Sequence, residues 1–242
     1  MSLKIVIPAR YGSERLPGKP LQEISGRPMV LCVADRAAAA YDRRDIVVAT
    51  DDQRIYDVVT EANYEVMMTP NSLLTGSDRV GWVAKTLDVD FIVNLQGDEP
   101  MMTPEVLTSA ISMVEDRGFD IGTAASQFST FEEFAADASV KVTLAHDGAA
   151  ISFSRLGIPH SRVKVDLIGD IGAYRHIGVY AYRKDVLLDL VSRAPIGLER
   201  FESLEQLRAQ YYGYRIGCGL VNYQGISVDT QEDLDEVRKL LV

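Results

Sequence analysis

The chain of 242 residues contains no GxxxxGK[ST] phosphate loop and no glycine-rich dinucleotide fingerprint after its first apolar run. Cysteine and histidine do not recur at metal-ligand spacing. These absences remove the P-loop, nicotinamide and zinc readings. No Ser-His-Asp or Cys-His arrangement is evident among only three histidines, which removes the common triad hydrolases. The two cysteines, Cys32 and Cys218, lie far apart in apolar surroundings, so buried thiols are expected and a disulfide is not. An excess of positive charge is also missing. Lys and Arg number 25 against 35 Asp and Glu, a net charge of −10, which leaves a nucleic-acid backbone no basic face to bind. No apolar run approaches the ~20 residues of a membrane span, and no secretory leader is recognisable. The expectation is a soluble, cytoplasmic protein. Internal repeats, low-complexity tracts and linkers are absent as well, so a single domain over residues 1–242 is expected.

What is present alternates. Leu3–Ile7 reads as a strand and runs into a turn-rich loop. Helical spacing of Met29, Val30, Val33 and Ala37 predicts a helix over 28–40. A strand at 46–49 leads to Asp51 or Asp52 as cap of a helix over 53–62. A short strand at 65–68, a helix at 78–87, a buried strand at 91–95 and a helix at 104–117 follow. This βαβ alternation predicts an α/β, doubly wound, mostly parallel sheet. The second half changes character. Strands at 140–144 and 149–153 around His146-Asp147-Gly148 read as a hairpin, and 157–174 as irregular. A strand at 176–182, a helix at 185–191, a long helix at 198–212, a strand at 215–221 and a capped closing helix to Leu241 complete the chain. The segment near 140–182 is therefore an antiparallel insertion.

The loop after the first strand, Pro8 to Pro20, carries Arg10, Arg15 and Lys19 and is kept flexible by Gly12 and Gly18. Loops at the carboxyl ends of strands hold ligands in open α/β sheets. Fork-like Arg donors and a point-charge Lys suit a polyphosphate. In an acidic chain, three such cations read as a local anion site. Asp98 follows the buried strand at 91–95, where a carboxylate beside phosphates could hold Mg²⁺, with Asp229 as the natural second ligand. A turn residue for Asp98 and a helix cap for Asp229 are the plainer alternatives. In Thr75-Gly76-Ser77-Asp78-Arg79, Ser77 or Asp78 is expected to cap the next helix, and Arg79 in its first turn opposes the dipole, which favours a ligand contact. His176 opens a strand, where a general base is conceivable but hydrogen bonding to a sugar or carboxylate is favoured over it, with plain packing as the alternative. Glu202, Glu205 and Gln206 would share one face of the long helix.

Taken in order, several motifs carry a resemblance over nearly the whole chain. They are Ile-Pro-Ala-Arg-Tyr-Gly-Ser-Glu-Arg-Leu-Pro-Gly-Lys-Pro-Leu, Ala-Thr-Asp-Asp, Gly-Ser-Asp-Arg, Asn-Leu-Gln-Gly-Asp-Glu-Pro, Phe-Ser-Arg-Leu-Gly-Ile-Pro, His-Ile-Gly-Val-Tyr-Ala-Tyr-Arg, Leu-Glu-Gln-Leu-Arg and Val-Asp-Thr-Gln-Glu-Asp-Leu. Together they closely resemble the 3-deoxy-manno-octulosonate (Kdo) cytidylyltransferases. The resemblance implies a nucleotide-diphospho-sugar transferase fold, a homodimer paired through residues around 150–200, and a place in lipopolysaccharide synthesis. It implies Mg²⁺-dependent transfer of CMP from CTP to Kdo. Arg10, Arg15 and Lys19 would then hold the triphosphate. Pro8, Ala9, Ser13, Thr50, Asp51, Ser77, Asp78, Arg79 and Gln96 would line the nucleotide site. Asp98 and Asp229 would bind Mg²⁺. Gln96, Arg155, His176, Tyr180, Glu205 and Gln206 would meet the sugar acid.

Departures from the family pattern at Thr75–Ser77, Ser227, Gln231, Leu156-Gly157 and Gly169–Gly172 leave an 8-amino variant of Kdo or another ulosonic acid open. Sialic-acid cytidylyltransferases share the early Pro-Ala-Arg but continue with Lys and Asn. Glycosyltransferases that consume nucleotide sugars favour an Asp-x-Asp motif and lack the basic loop. A nucleotide-binding regulator without turnover is disfavoured by the retention of every metal and phosphate residue.

Overall fold

The computed structural model describes residues 2–13, 15–73, 75–160 and 172–241. The chain divides into two compact units, one running to Leu107 and resuming at Gly225, the other spanning Thr108–Gln224.

The first unit begins with β1 (Leu3–Ala9) and a small hairpin of β2 (Glu23–Ile24) and β3 (Arg27–Pro28). Helix α1 (Met29–Ala38), strand β4 (Ile46–Thr50), helix α2 (Gln53–Glu61) and strand β5 (Glu65–Met68) follow. Then come α3 (Gly76–Ala84), β6 (Phe91–Leu95) and α4 (Pro104–Glu115), in which the division between units falls. The strands lie in the order β6-β1-β4-β5, every pairing parallel. Met29, Val30, Val33, Ala34 and Ala37 put one fully buried stripe of α1 on the sheet, as their helical spacing requires. From β1 the chain moves outward through β4 to β5 and returns to β6 on the other side of β1. The connections therefore diverge at β1 and β6, and the crevice at the carboxyl ends of two such strands is where open α/β sheets bind ligands.

In the second unit, β7 (Ile121–Ser126), α5 (Phe131–Ala135), the strands β8 (Lys141–Leu144) and β9 (Ala150–Ser154), and β10 (Ala173–Arg183) come first. Helices α6 (Lys184–Ser192), α7 (Gly197–Glu202) and α8 (Gln206–Tyr211) and strand β11 (Ile216–Leu220) complete it. β11 runs parallel to β7, whereas β10 is antiparallel to both β7 and β8, and β8 is antiparallel to β9. The expected α/β class with an inserted antiparallel segment holds, including the hairpin, whose turn places Gly148 at φ +85°. The irregular stretch at 157–174 falls largely, and the Gly169–Gly172 run almost wholly, outside the described residues. No described helix is long and apolar enough to cross a membrane.

Three expectations need correction. The long helix over 198–212 is two helices, broken where Ser203 adopts a left-handed φ of 53°. Glu202 consequently does not share a helical face with Glu205 and Gln206. Instead it accepts hydrogen bonds from Ser154 Oγ and the Arg155 N–H, each at 2.9 Å. Second, α3 is capped by Thr75, whose hydroxyl accepts from the Asp78 N–H at 3.1 Å while Asp78 reaches back to the Thr75 N–H; neither Ser77 nor Asp78 is the cap. Third, the closing helix α9 (Gln231–Leu240) is capped by Thr230 with Asp233 three residues on, so Asp229 is not the cap residue. Asp52, one of the two candidates, does cap α2 through the Arg54 N–H. Both cysteines are free thiols; Cys218 is buried as expected whereas Cys32 is only partly buried, and desolvation raises the pKa of each.

Candidate active site

The loop after β1 is held from below by its own apolar residues. Leu16 is buried in a cluster with Ile24, Met29, Val228, Leu234 and Val237, which ties the loop to the segment preceding α9. Burying a side chain of this size is worth about 1.5–3 kcal/mol. Gly18 takes φ +65° with the Tyr11 ring 3.1 Å from where a Cβ would stand, so no other residue turns the chain there without strain. Pro20 then opens a single helical turn over Lys19–Leu21. The Leu-Pro-Gly-Lys-Pro run is thus an anchor, a turn and a rigid start that aim Lys19.

Lys19 points into a pair of carboxylates. Its Nζ lies 2.7 Å from Asp98 Oδ2, 3.1 Å from Asp229 Oδ1 and 2.9 Å from the Val228 carbonyl. Burial alone would lower its pKa, but the charges of Asp98 and Asp229 outweigh that and raise it. Arg15, exposed, pairs with the other oxygen of Asp229 at 3.0 Å. Asp98 is positioned by a close crossing of backbones: a Cβ on Gly97 would lie 2.7 Å from the Pro8 carbonyl, and the Val228 N–H donates to the Asp98 carbonyl at 2.9 Å. Arg10 lies exposed at the end of β1, and Ser13 closes the loop by accepting the Leu16 N–H at 3.3 Å.

A second group gathers at the exit of β4. Arg79 is 2% exposed and donates to Asp51 Oδ2 at 2.7 Å and to Thr69 Oγ1. Its anomalous place in the first turn of α3 is thereby accounted for by a buried ion pair. Thr50 is fully buried and Ser77 nearly so. Gln96 donates to Asn94 Oδ1 at 3.0 Å and lies against Gly76, where a Cβ would stand 3.4 Å from both Gln96 Oε1 and Pro8. Asn94, in the middle of a buried strand, was not among the sequence-derived candidates; a lone amide inside Phe-Ile-Val-Asn-Leu was its signal.

The residues expected at the sugar acid, apart from Gln96, belong to the second unit. His176 and Tyr180 meet at a tilt with ring centroids 5.5 Å apart, and Phe153 meets the imidazole edge-on at 5.1 Å. Desolvation holds His176 neutral, its pKa pushed down to about 3, and raises that of Tyr180, with the neighbouring Glu205 adding to the effect. Glu205 stands at the N-cap position of α8. Gln206 is 7% exposed, and its Nε2 has no hydrogen-bond partner among the described residues. A buried amide left so is costly unless a ligand satisfies it. Arg155 is engaged differently: its guanidinium donates to the Glu202 carbonyl at 2.8 Å, at the break between α7 and α8, and to the Asp137 carbonyl at 3.1 Å.

Among the described residues no three His, Cys, Asp or Glu side chains converge as a metal cage. Two hard carboxylates already gathered around one cation, the Lys19 ammonium, are nevertheless the donor set that Mg²⁺ uses when substrate phosphates and water supply its other ligands.

A parallel α/β unit with a basic loop and paired carboxylates at its switch point describes a nucleotidyltransferase, and the comparisons agree. Residues 4–216 match the family model described as Cytidylyltransferase. The chain is 43% identical to a 3-deoxy-manno-octulosonate cytidylyltransferase of Syntrophotalea carbinolica, covering 98% of this chain and 97% of that one. It is also 43% identical to the enzyme of the same name from Rhizobium etli, over 98% and 94%. A solved structure of CMP:2-keto-3-deoxy-manno-octonic acid synthetase complexed with CTP superposes with a TM-score of 0.91 at 38% identity, covering 99% and 98% of the two chains. The chain belongs to the 3-deoxy-manno-octulosonate cytidylyltransferase family.

Proposed function

We propose that the protein transfers CMP from CTP to the anomeric hydroxyl of Kdo, releasing diphosphate, in the cytoplasmic synthesis of lipopolysaccharide, as a homodimer paired through the antiparallel segment. The observation that carries the reading is the convergence of Lys19, Arg15, Asp98 and Asp229 at the exit of β1. The substrates named by relatives and by the CTP complex fit that convergence.

The chemistry is governed by charge. A sugar-acid hydroxyl beside its own carboxylate must approach an α-phosphate surrounded by negative oxygens. The chain answers with Arg10, Arg15 and Lys19 on the loop after β1. Asp98 and Asp229 would hold Mg²⁺, which supplies Lewis acidity and alignment when bound. Lys19, which pairs with the same two carboxylates, would be free to turn to the phosphates if a metal took its place. Pro8, Ala9, Ser13, Thr50, Asp51, Ser77, Asp78, Arg79 and Gln96 would form the nucleotide pocket. Asp51 and Arg79 contribute as a rigid pair that shapes its wall. Gln96, His176, Tyr180, Glu205 and Gln206 would read the sugar acid, with Arg155 holding the chain around Ser203 in place. Neither a covalent intermediate nor a histidine base is required, and a histidine held neutral this far below pH 7 is a poor proton acceptor.

Diphosphate release from CTP, with and without Mg²⁺, tests the proposal against Kdo, 8-amino-Kdo, sialic acid and no acceptor. Mg²⁺-dependent release with Kdo is expected. Release with sialic acid alone would refute the substrate, and none with any acceptor would refute the activity.

A further inference from the structure

The register between β10 and β7 shifts at one place. Ile177 pairs with Ala124 and Ala181 with Gly122, so Gly178, Val179 and Tyr180 bulge opposite the single residue Thr123. Thr123 is completely buried, and its hydroxyl fills the bulge. Oγ1 lies 2.7 Å from the Val179 carbonyl, 3.3 Å from the Ile177 carbonyl and 2.9 Å from His176 Nε2.

A hydroxyl has one hydrogen, and a carbonyl has none. Two oxygens 2.7 Å apart require a hydrogen between them, so the Thr123 proton is committed to Val179. What Oγ1 then offers His176 is a lone pair, and Nε2 must carry the proton. Because the imidazole is neutral, the other nitrogen, Nδ1, carries none. Among the described residues no group donates to Nδ1.

We propose that Thr123 is a positioning residue that fixes His176 as the Nε2–H tautomer, so that Nδ1 is presented as a hydrogen-bond acceptor to a hydroxyl of the sugar acid. The proposal rests on His176 facing that substrate. It also excludes a role the sequence left open: a bare, neutral Nδ1 repels a carboxylate, so the acid group must be read by other residues.

The test uses the intact protein labelled with ¹⁵N-histidine. Long-range ¹H–¹⁵N correlation, with His176 assigned by loss of its signals in His176→Gln, is expected to show a protonated Nε2 and a bare Nδ1 from pH 5 to 9. Saturating Kdo is expected to shift the Nδ1 resonance. Thr123→Val should lose the single tautomer and raise the KM for Kdo about five- to tenfold, the worth of one neutral hydrogen bond, with the KM for CTP unchanged. Thr123→Ser should restore both, which a mere packing role for the methyl group would not predict. An Nδ1–H tautomer or an imidazolium in the wild type would overturn the proposal without any variant having to fold. The expected tautomer with an Nδ1 resonance indifferent to Kdo would instead overturn the contact of His176 with the sugar acid, leaving the nucleotide site untouched.

Discussion

Lys19 and Asp229 stand 210 positions apart in the chain and meet at 3.1 Å. The contact joins the loop after β1 to the segment before α9, and Asp98, at the end of β6, closes the group from the third side. Two loops that follow strands and the segment before α9 thus converge on one ammonium.

Replacing Lys19 with Met will remove the cation that Asp98 and Asp229 share, leaving Asp229 its pair with the exposed Arg15. In metal-free buffer near pH 7 the variant will be less stable by about 1–2 kcal/mol, a value discounted because both carboxylates remain partly exposed. Because the folded-state pKa of Lys19 is raised, its stabilisation is complete below the ordinary lysine value of 10.5 and fades as the pH rises through the higher, folded value. Urea titrations at pH 7 and pH 11 will show the difference between wild type and variant shrinking at the higher pH.

Asp98→Asn will remove one hard ligand while keeping shape. Turnover will fall by about 10²–10³-fold, in the range seen when a group that stabilises transition-state charge is lost. CTP binding measured by calorimetry will persist. Robust turnover in this variant would contradict the metal role.

Gly97→Ala will force a methyl group to within 2.7 Å of the Pro8 carbonyl unless the loops part. A cost of about 1–3 kcal/mol is expected, together with weaker CTP binding, since the moved loop carries Asp98. Thermal melts and calorimetry on the same sample will separate the two effects.

Much of this arrangement was legible in the sequence. Periodicity placed α1, β4, α2 and β6 within a residue or two, because each buries a stripe or run; β5 was placed as well, although none of its residues is buried. Strand β7 was missed. Its sequence, Ile-Gly-Thr-Ala-Ala-Ser, has little strand propensity, because α4 packs so closely that a Cβ on Gly122 would collide with the Ala110 carbonyl. The break at Ser203 was hidden for a different reason. A serine in left-handed conformation is held there by tertiary contacts, chiefly the Arg155 guanidinium on the Glu202 carbonyl. The cap at Thr75 was displaced onto Ser77 or Asp78 and that at Thr230 onto Asp229, since Ser, Thr and Asp cap almost equally well and spacing alone does not choose. The charged groups that converge on Lys19, by contrast, were marked by residue type: Lys19 and Asp98 in loops after strands, and Asp229 just before α9.

His176 gives stability its own pH dependence. Its folded-state pKa, about 3, lies below the ordinary 6.5, so its contribution is present above 6.5 and is lost as the pH falls toward 3, where only the unfolded chain takes up the proton. Denaturation between pH 6.5 and 4 will show a slope that His176→Gln reduces by about one proton. The activity profile above pH 5, by contrast, will carry no inflection from this residue.

The most direct measurement is the structure of the protein with CTP and Mg²⁺. The triphosphate will lie over the exit of β1, against Arg10, Arg15 and Lys19, with the metal on Asp98 and Asp229 and Lys19 turned away from both carboxylates. A triphosphate bound anywhere else, or Lys19 still between the two aspartates beside a bound nucleotide and metal, would contradict the account.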